Sequence, residues 1–364
     1  MKALVVGIGK MGTAISWSMH KFGFEVAAMD VDSSRAENLT KGVGFIPIAN
    51  LEQAFVWMRD HGLPDVAISS LPYHQTEDFA HWCMDNSVRY CDLGGKVDVS
   101  KNINDAAQNY AKKCVFTDLG LAPGWVNILA EQGCKEIHRQ PEEVEMMVGG
   151  IPGIPMNPPL NYSVTWSTDG LINEYIDDCE ILWDGEIKTV AGMEGLEKVH
   201  VDLIDEDMEA FFTSGGASHT INTMKERGVK NCFYKTIRWP GHCEAVRFLI
   251  RKCNLSDECL LEIFKKGCVN DGNDIVLIRS LVKGQDVTWK KEKIIAADSD
   301  GRFSAMQKAT AFPISSIAKL MAEGYFDGEK FQQRGYSVNY PKALTYADVP
   351  FDEFNENLET LLND

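Results

Sequence analysis

Six residues near the start of the chain, Gly7-Ile8-Gly9-Lys10-Met11-Gly12, constrain its fold more than any other feature of its 364 residues. They follow a short apolar run, Ala3–Val6, and open a helical pattern, Met11–Phe22. Gly7 permits the tight turn from strand to helix, Gly9 lets a pyrophosphate approach the backbone, and Gly12 lets the helix pack on the strand. The helix N-terminus then offers free N–H groups and a positive dipole end to phosphates. Asp30 ends the next strand pattern, 18 residues after Gly12, where an acid reaches ribose hydroxyls. Gly7, Ile8, Gly9, Lys10, Met11, Gly12, Asp30 and Val31 are therefore read as dinucleotide-binding residues. A carboxylate at position 30 binds both ribose hydroxyls and repels a 2′-phosphate, and the nearest base is Arg35, so the expected cofactor is NAD, with NADP second. The alternative is that Asp30 only caps the next helix, for which Asp32 and Ser33 are better placed.

The first third of the chain continues the alternation. Strand patterns at Glu25–Met29, Phe45–Ile48, Asp65–Ser69, Arg89–Asp92 and Val115–Asp118 are separated by helical stretches, the second of which has a capping-box spacing at Ser34 and Glu37. This is the pattern of a parallel sheet with helices on both faces, an α/β fold. From about Glu143 to Ile295 the pattern changes. Alternating stretches at Asn161–Trp166, Tyr234–Trp239 and Asp274–Val282 predict a mixed or antiparallel sheet, and the Pro/Gly-rich Gly149–Pro159 marks the passage between the regimes. Ser304–Glu323 predicts an amphipathic helix, and the acidic tail Asp348–Asp364 a final exposed one.

Charge and cysteine usage exclude several classes. The net charge is −17, from 53 acids against 36 bases, which repels phosphate backbones and argues against a nucleic-acid partner. No apolar run is long enough to cross a bilayer, and the N-terminus lacks the basic-then-apolar form of a signal peptide, so the expectation is a cytoplasmic protein with no membrane partner. The ten cysteines form no CxxC and no Cys/His cluster of zinc spacing, so no metal is expected.

Three later loops fall at the carboxyl ends of strands, where open α/β sheets bind ligands: Ser69-Ser70-Leu71-Pro72-Tyr73-His74, Tyr90-Cys91-Asp92-Leu93-Gly94-Gly95-Lys96, and Asp118-Leu119-Gly120-Leu121-Ala122-Pro123-Gly124-Trp125. Asp92 and Asp118 stand out, because an acid at a strand end is a poor core residue and a good ligand group.

With these pieces in order, the chain resembles the saccharopine dehydrogenase-like reductases, including the lysine 6-dehydrogenase branch. The resemblance rests on the glycine fingerprint, Ser70-Leu71-Pro72-Tyr73, Asp92-Leu93-Gly94-Gly95 and Gly120-Leu121-Ala122-Pro123-Gly124. It continues through Gly149-Gly150-Ile151-Pro152, Pro159-Leu160-Asn161-Tyr162 to Trp166-Ser167, Thr213-Ser214-Gly215-Gly216 and Thr236-Ile237-Arg238-Trp239-Pro240-Gly241-His242. It implies a Rossmann doubly wound parallel sheet from 1–123 and a returning 304–364, plus an α+β substrate and oligomerisation domain over 124–303. It implies that Ser70, Leu71, Pro72, Leu93, Gly94, Leu119 and Gly120 border the cofactor. Tyr73, Asp92, Trp166, Asp169, Ser214 and Arg238 are then the substrate residues, with Asp92, Arg238 and His242 at the chemistry. A homodimer or higher homo-oligomer is expected.

One departure narrows the substrate. Saccharopine-forming members carry an Arg after the Trp-Ser pair, whereas here Trp166-Ser167 is followed by Thr168-Asp169. A carboxylate there suits a free ammonium, unless Asp169 is simply a helix N-cap. The expected reaction is NAD-dependent oxidative deamination of the lysine ε-amine, on an amino acid or diamine. Arg238 would clamp the α-carboxylate, Asp92 or Asp169 the amine, and His242 would accept the proton. A saccharopine- or carboxynorspermidine-type reductase and a non-catalytic NAD-binding sensor are the alternatives.

Overall fold

The computed structural model describes residues 1–270, 272–327 and 342–364. The chain forms two units, Met1–Trp125 with Thr310–Asp364, and Val126–Ala309. Positions 328–341, within the expected returning segment, lie outside the described residues.

In the first unit, strands β1 (Lys2–Val6), β2 (Glu25–Asp30), β3 (Gly44–Pro47), β4 (Val66–Ser69), β5 (Arg89–Asp92) and β6 (Val115–Phe116) alternate with helical segments. Among these are α1 (Lys10–Lys21), α2 (Leu51–His61), α3 (Tyr73–Asp85) and α4 (Val97–Tyr110). With Ala343–Leu344 they make one parallel sheet of order Ala343–Leu344, β6, β5, β4, β1, β2, β3. All four residues of β4 are buried, which is why it reads as an unbroken apolar run. The chain steps outward from β1 to β3 and returns to the other side of β1 as β4. That reversal is the switch point where a Rossmann sheet opens a crevice at its carboxyl edge.

Three details differ from the sequence reading. The second helical segment is a 3-10 turn, Ser33–Asn38, capped by Asp32 and not by a Ser34/Glu37 box. The β6 strand stops at Phe116, leaving Asp118 beyond it in left-handed backbone. The last helix, Phe351–Leu362, buries Phe354, Leu358 and Leu361 along one stripe, so its acids form only the outer face.

The second unit carries β7 (Glu143–Pro152), β8 (Cys179–Trp183), β9 (Glu186–Val190), β10 (Glu197–Val201), β11 (Glu206–Phe212), β12 (Asn231–Arg238), β13 (Asp274–Lys283) and β14 (Thr288–Ala296). The order is β10-β11-β12-β7-β13-β14, with β8 beside β12 and β9 beside β8. Only β12 and β7 run parallel, so the sheet is mixed. The helices used below are α5 (Trp125–Glu136), α6 (Thr168–Ile176), α7 (Thr220–Glu226), α8 (His242–Arg247) and α9 (Asp257–Gly267). Leu160, Tyr162, Leu171, Tyr175, Phe211, Cys243 and Phe264 form one apolar cluster. Contrary to expectation, Asn161–Trp166 is not a strand, and the Gly149–Pro159 stretch begins inside the central strand β7. Among the described residues no helix is long and apolar enough to cross a membrane, and no acid/His/Cys group could hold a metal ion.

Candidate functional site

In the first unit, the glycine loop and the end of β4 meet at the switch point. Gly7 has φ +91°, and a Cβ there would lie 2.5 Å from the Ser70 carbonyl oxygen. A Cβ on Gly12 would lie 1.8 Å from the Gly7 carbonyl oxygen. No side chain can occupy either place, so the backbone and α1 close up as a phosphate cradle requires. Helix α1 follows Gly9 with no side-chain cap and no acid in its first turn, so no carboxylate of that turn opposes an anion at its positive dipole end. A Cβ on Gly9 would meet nothing within 4 Å. Asp30 is drawn onto this loop. Its Oδ2 accepts from the Ile8 N–H at 2.6 Å and its Oδ1 from the Asp32 N–H at 2.9 Å. Arg35 pairs with Asp32 at 3.2 Å. Asp30 therefore serves the glycine loop, while Asp32 takes the capping role. The cradle fits a dinucleotide, whose phosphates Gly7 to Gly12 and whose ribose Asp30 would hold. Lys10 and Val31 are exposed beside it, and Leu71 and Pro72 follow Ser70 on the facing loop.

Asp92, at the end of β5, is only 2% exposed. Its Oδ1 accepts from the Gly94 and Asp118 N–H groups at 2.9 and 3.0 Å, and its Oδ2 from the Tyr90 hydroxyl at 3.0 Å. The Leu119 N–H donates to the Asp92 carbonyl oxygen. Burial, then the Asp118 carboxylate, push the Asp92 carboxyl up to about 7, against those hydrogen bonds. Asp118 accepts from Ser100 Oγ at 2.7 Å, and a Cβ on Gly94 would lie 2.3 Å from it. Asp92 thus knits the Leu93-Gly94 and Leu119-Gly120 loops together. Direct substrate contact was the expectation for Asp92; here its oxygens accept from two backbone N–H groups and a tyrosine hydroxyl. Tyr73, at the start of α3, is 46% exposed, with Lys96 over its ring.

In the second unit, β12 ends in Arg238, which is 3% exposed. Its Nε donates to the Tyr175 hydroxyl at 3.0 Å and its Nη1 to the Ile237 carbonyl at 3.0 Å. The guanidinium lies 4.9 Å from the Tyr162 ring centre and 5.8 Å from that of Tyr175. Among the described residues no carboxylate comes within 4.0 Å of it, and Nη2 donates to none. Across the β11–β12 register stands Glu209, a buried acid. Its oxygens accept from the N–H groups of Gly241 and Cys243, fixing the start of α8.

That helix start carries His242, which is fully buried. Its Nδ1 lies 2.7 Å from the Leu160 carbonyl oxygen, an acceptor only, so Nδ1 bears the proton. Its Nε2 must then accept from the Tyr175 hydroxyl, 3.0 Å away. The donors run in one direction: Arg238 Nε to Tyr175 Oη, Tyr175 Oη to His242 Nε2, and His242 Nδ1 to Leu160. Burial, then the Arg238 charge, pull the imidazole down to about 3. His242 was the expected proton acceptor; here its Nε2 already accepts from the Tyr175 hydroxyl. Both ring nitrogens are engaged, and the ring is a fixed neutral link.

The remaining expected residues spread along α6 and the loop after β11. Ser167, not Asp169, caps α6, accepting from the Gly170 N–H at 3.2 Å. Asp169 is exposed in the first turn, and Trp166 lies half-buried against Gly170. The Ser214 N–H donates to the Glu174 carbonyl at 3.1 Å and its hydroxyl to the Asn173 carbonyl at 3.4 Å. Glu174 itself was not singled out from the sequence. It is half-buried, and burial raises its carboxyl to about 7, with Arg238 opposing. The one signal available was an acid set one position short of the apolar stripe Leu171, Ile172 and Tyr175.

Comparison with known proteins follows the two units. Residues 3–117 match the family described as the saccharopine dehydrogenase NADP binding domain, and residues 120–348 the saccharopine dehydrogenase C-terminal domain. The NADP(+)-dependent, L-glutamate-forming saccharopine dehydrogenase of Pyricularia oryzae is 22% identical over 270 residues, which are 71% of this chain and 56% of that protein. The chain thus matches about half the length of that relative. The structure of the L-Glu-forming saccharopine dehydrogenase of Saccharomyces cerevisiae superposes with a TM-score of 0.77 at 14% identity, covering 100% of this chain and 97% of that one.

Proposed function

The chain belongs to the saccharopine dehydrogenase family, and from that premise we propose that it is a nicotinamide-dinucleotide oxidoreductase acting on a carbon–nitrogen bond of lysine or a lysine-related amino acid. The observation that carries the proposal is Arg238, a buried guanidinium with no carboxylate partner among the described residues. Burying a charge unpaired costs several kcal/mol, and a substrate carboxylate offsets that cost. Tyr175 holds Nε, so the Nη2 side of the fork is left for the substrate.

The dinucleotide, when bound, takes up a hydride from the carbon bearing the nitrogen. Gly7 to Gly12, Asp30 and Ser70 would hold it. We favour NAD because the Asp30 carboxylate is fixed on the glycine loop and would repel a 2′-phosphate. We favour the free ε-amine of lysine as the reacting group because Trp166-Ser167 is followed by Thr168-Asp169 and not by a second carboxylate-binding Arg. The Pyricularia relative favours a second reading, an NADP-dependent enzyme acting on the secondary amine of saccharopine.

A screen of L-lysine, saccharopine and cadaverine for NADH and NADPH formation separates these. In the same assay, Arg238→Ala should lower the specificity constant for lysine about ten- to a hundredfold, and that for cadaverine, which has no carboxylate, far less. Equal losses on both would refute the clamp.

A further inference from the structure

The site in the second unit holds two opposite charges that do not neutralise each other. Arg238 is buried and lacks a carboxylate within 4.0 Å among the described residues. Glu174 is half-buried, and no described residue donates a hydrogen bond to its carboxylate or ion-pairs with it. The two share one framework. Glu174 precedes Tyr175 in α6, and the Tyr175 hydroxyl binds Arg238 Nε. The Glu174 backbone is held from the other side by the Ser214 N–H. Each charge shifts the other's titration, and both act on Tyr162, Tyr175 and Tyr234. No ion pair within 4.0 Å joins the two among the described residues.

We propose that Arg238 and Glu174 together receive the zwitterionic headgroup of an α-amino acid, its carboxylate on Arg238 and its α-ammonium on Glu174. The two charged groups of such a headgroup sit on one carbon, so a single ligand spans the gap and satisfies both residues at once. The Tyr162 ring beside the guanidinium and the Tyr175 hydroxyl on Nε confine where the carboxylate can lie. Asp169, exposed at the first turn of α6, makes no hydrogen bond or ion pair with Tyr175 or Arg238. The inference rests on the carboxylate assignment to Arg238 and adds a partner for the α-ammonium.

Calorimetric binding to the full chain, without cofactor or turnover, tests it with two probes that differ only in the α-ammonium: L-norleucine and hexanoate. Glu174→Gln should weaken L-norleucine binding about ten- to a hundredfold, the value of one charge-assisted contact, and leave hexanoate within about twofold. Unchanged hexanoate binding also shows that the variant is folded. Arg238→Ala should weaken both probes. If Glu174→Gln weakens both alike, or neither, the ammonium assignment is overturned while the carboxylate assignment stands. If hexanoate binding does not depend on Arg238, the carboxylate assignment itself is overturned.

Discussion

Tyr175→Phe removes one oxygen and isolates the hydrogen-bond chain from everything around it. The hydroxyl accepts from Arg238 Nε and donates to His242 Nε2, each at 3.0 Å. Arg238 and His242 are both buried, so water does not replace the lost partner. The phenyl ring remains and keeps its contacts with Phe211 and His242. The bond from the guanidinium is charge-assisted and worth about 1.5–3 kcal/mol, and the neutral bond to the imidazole about 1 kcal/mol. The variant should therefore lose about 2–4 kcal/mol of stability, far beyond the roughly 0.5 kcal/mol of an ordinary surface change. Urea unfolding of the wild type and the variant at constant slope reads this directly. Hexanoate affinity should fall as well, because the guanidinium fork loses the bond that aims it. A stability change under about 0.5 kcal/mol would refute the shared role of the hydroxyl and with it the direction of the donors.

Two further outcomes concern the first unit. Wild type should bind NAD at least about tenfold more tightly than NADP, and Asp30→Ala should narrow that gap; equal affinities in the wild type would overturn the cofactor assignment. Asp92, raised from 3.8 to about 7 in the folded state, keeps a proton that the unfolded chain releases, so stability should fall by up to about 4 kcal/mol as pH rises from about 4 to 7 and stay low above it. Asp92→Asn retains the oxygen that accepts from Gly94 and Asp118 and should flatten that slope, measured as unfolding free energy at pH 5 and pH 8; an unchanged slope would assign the pH dependence elsewhere.

The parallel sheet was legible because strands covered on both faces must be continuously apolar, as in β1 and β4, and because the glycine turn tolerates no substitute at the switch point. Periodicity misled where side chains do the work of a neighbouring strand. Asn161–Trp166 alternates like a strand, yet its backbone is satisfied piecemeal: the Tyr162 carbonyl by Asn157, the Val164 carbonyl by Asn270, and the Val164 N–H by Cys268. Arg238 and His242 could be singled out from the Arg238-Trp239-Pro240-Gly241-His242 string. The role of His242 could not, because it depends on Leu160 and Tyr175, 82 and 67 positions away. Glu174 was hidden for the same reason. Nothing local distinguishes a solvated helix acid from one left half-buried with no hydrogen-bond donor among the described residues.

The unpaired state of Arg238 is not for want of an acid. Glu209 stands opposite it in the β11–β12 register, close enough for its carboxyl to feel the arginine's charge. A side chain so placed is the natural counter-ion for a buried guanidinium. Instead, its two oxygens accept from the Gly241 and Cys243 N–H groups and hold the first turn of α8 in place. That turn carries His242, and His242 in turn holds the tyrosine that aims Arg238. An internal anion that feels the arginine's charge is thus used to position the cation and not to neutralise it. The folded chain carries the cost of a buried charge without a carboxylate partner among the described residues, and a carboxylate arriving there, as proposed, would relieve it. On the proposed reading, affinity for that carboxylate is built into the framework before any ligand arrives, at a fixed orientation and with little side-chain entropy left to lose.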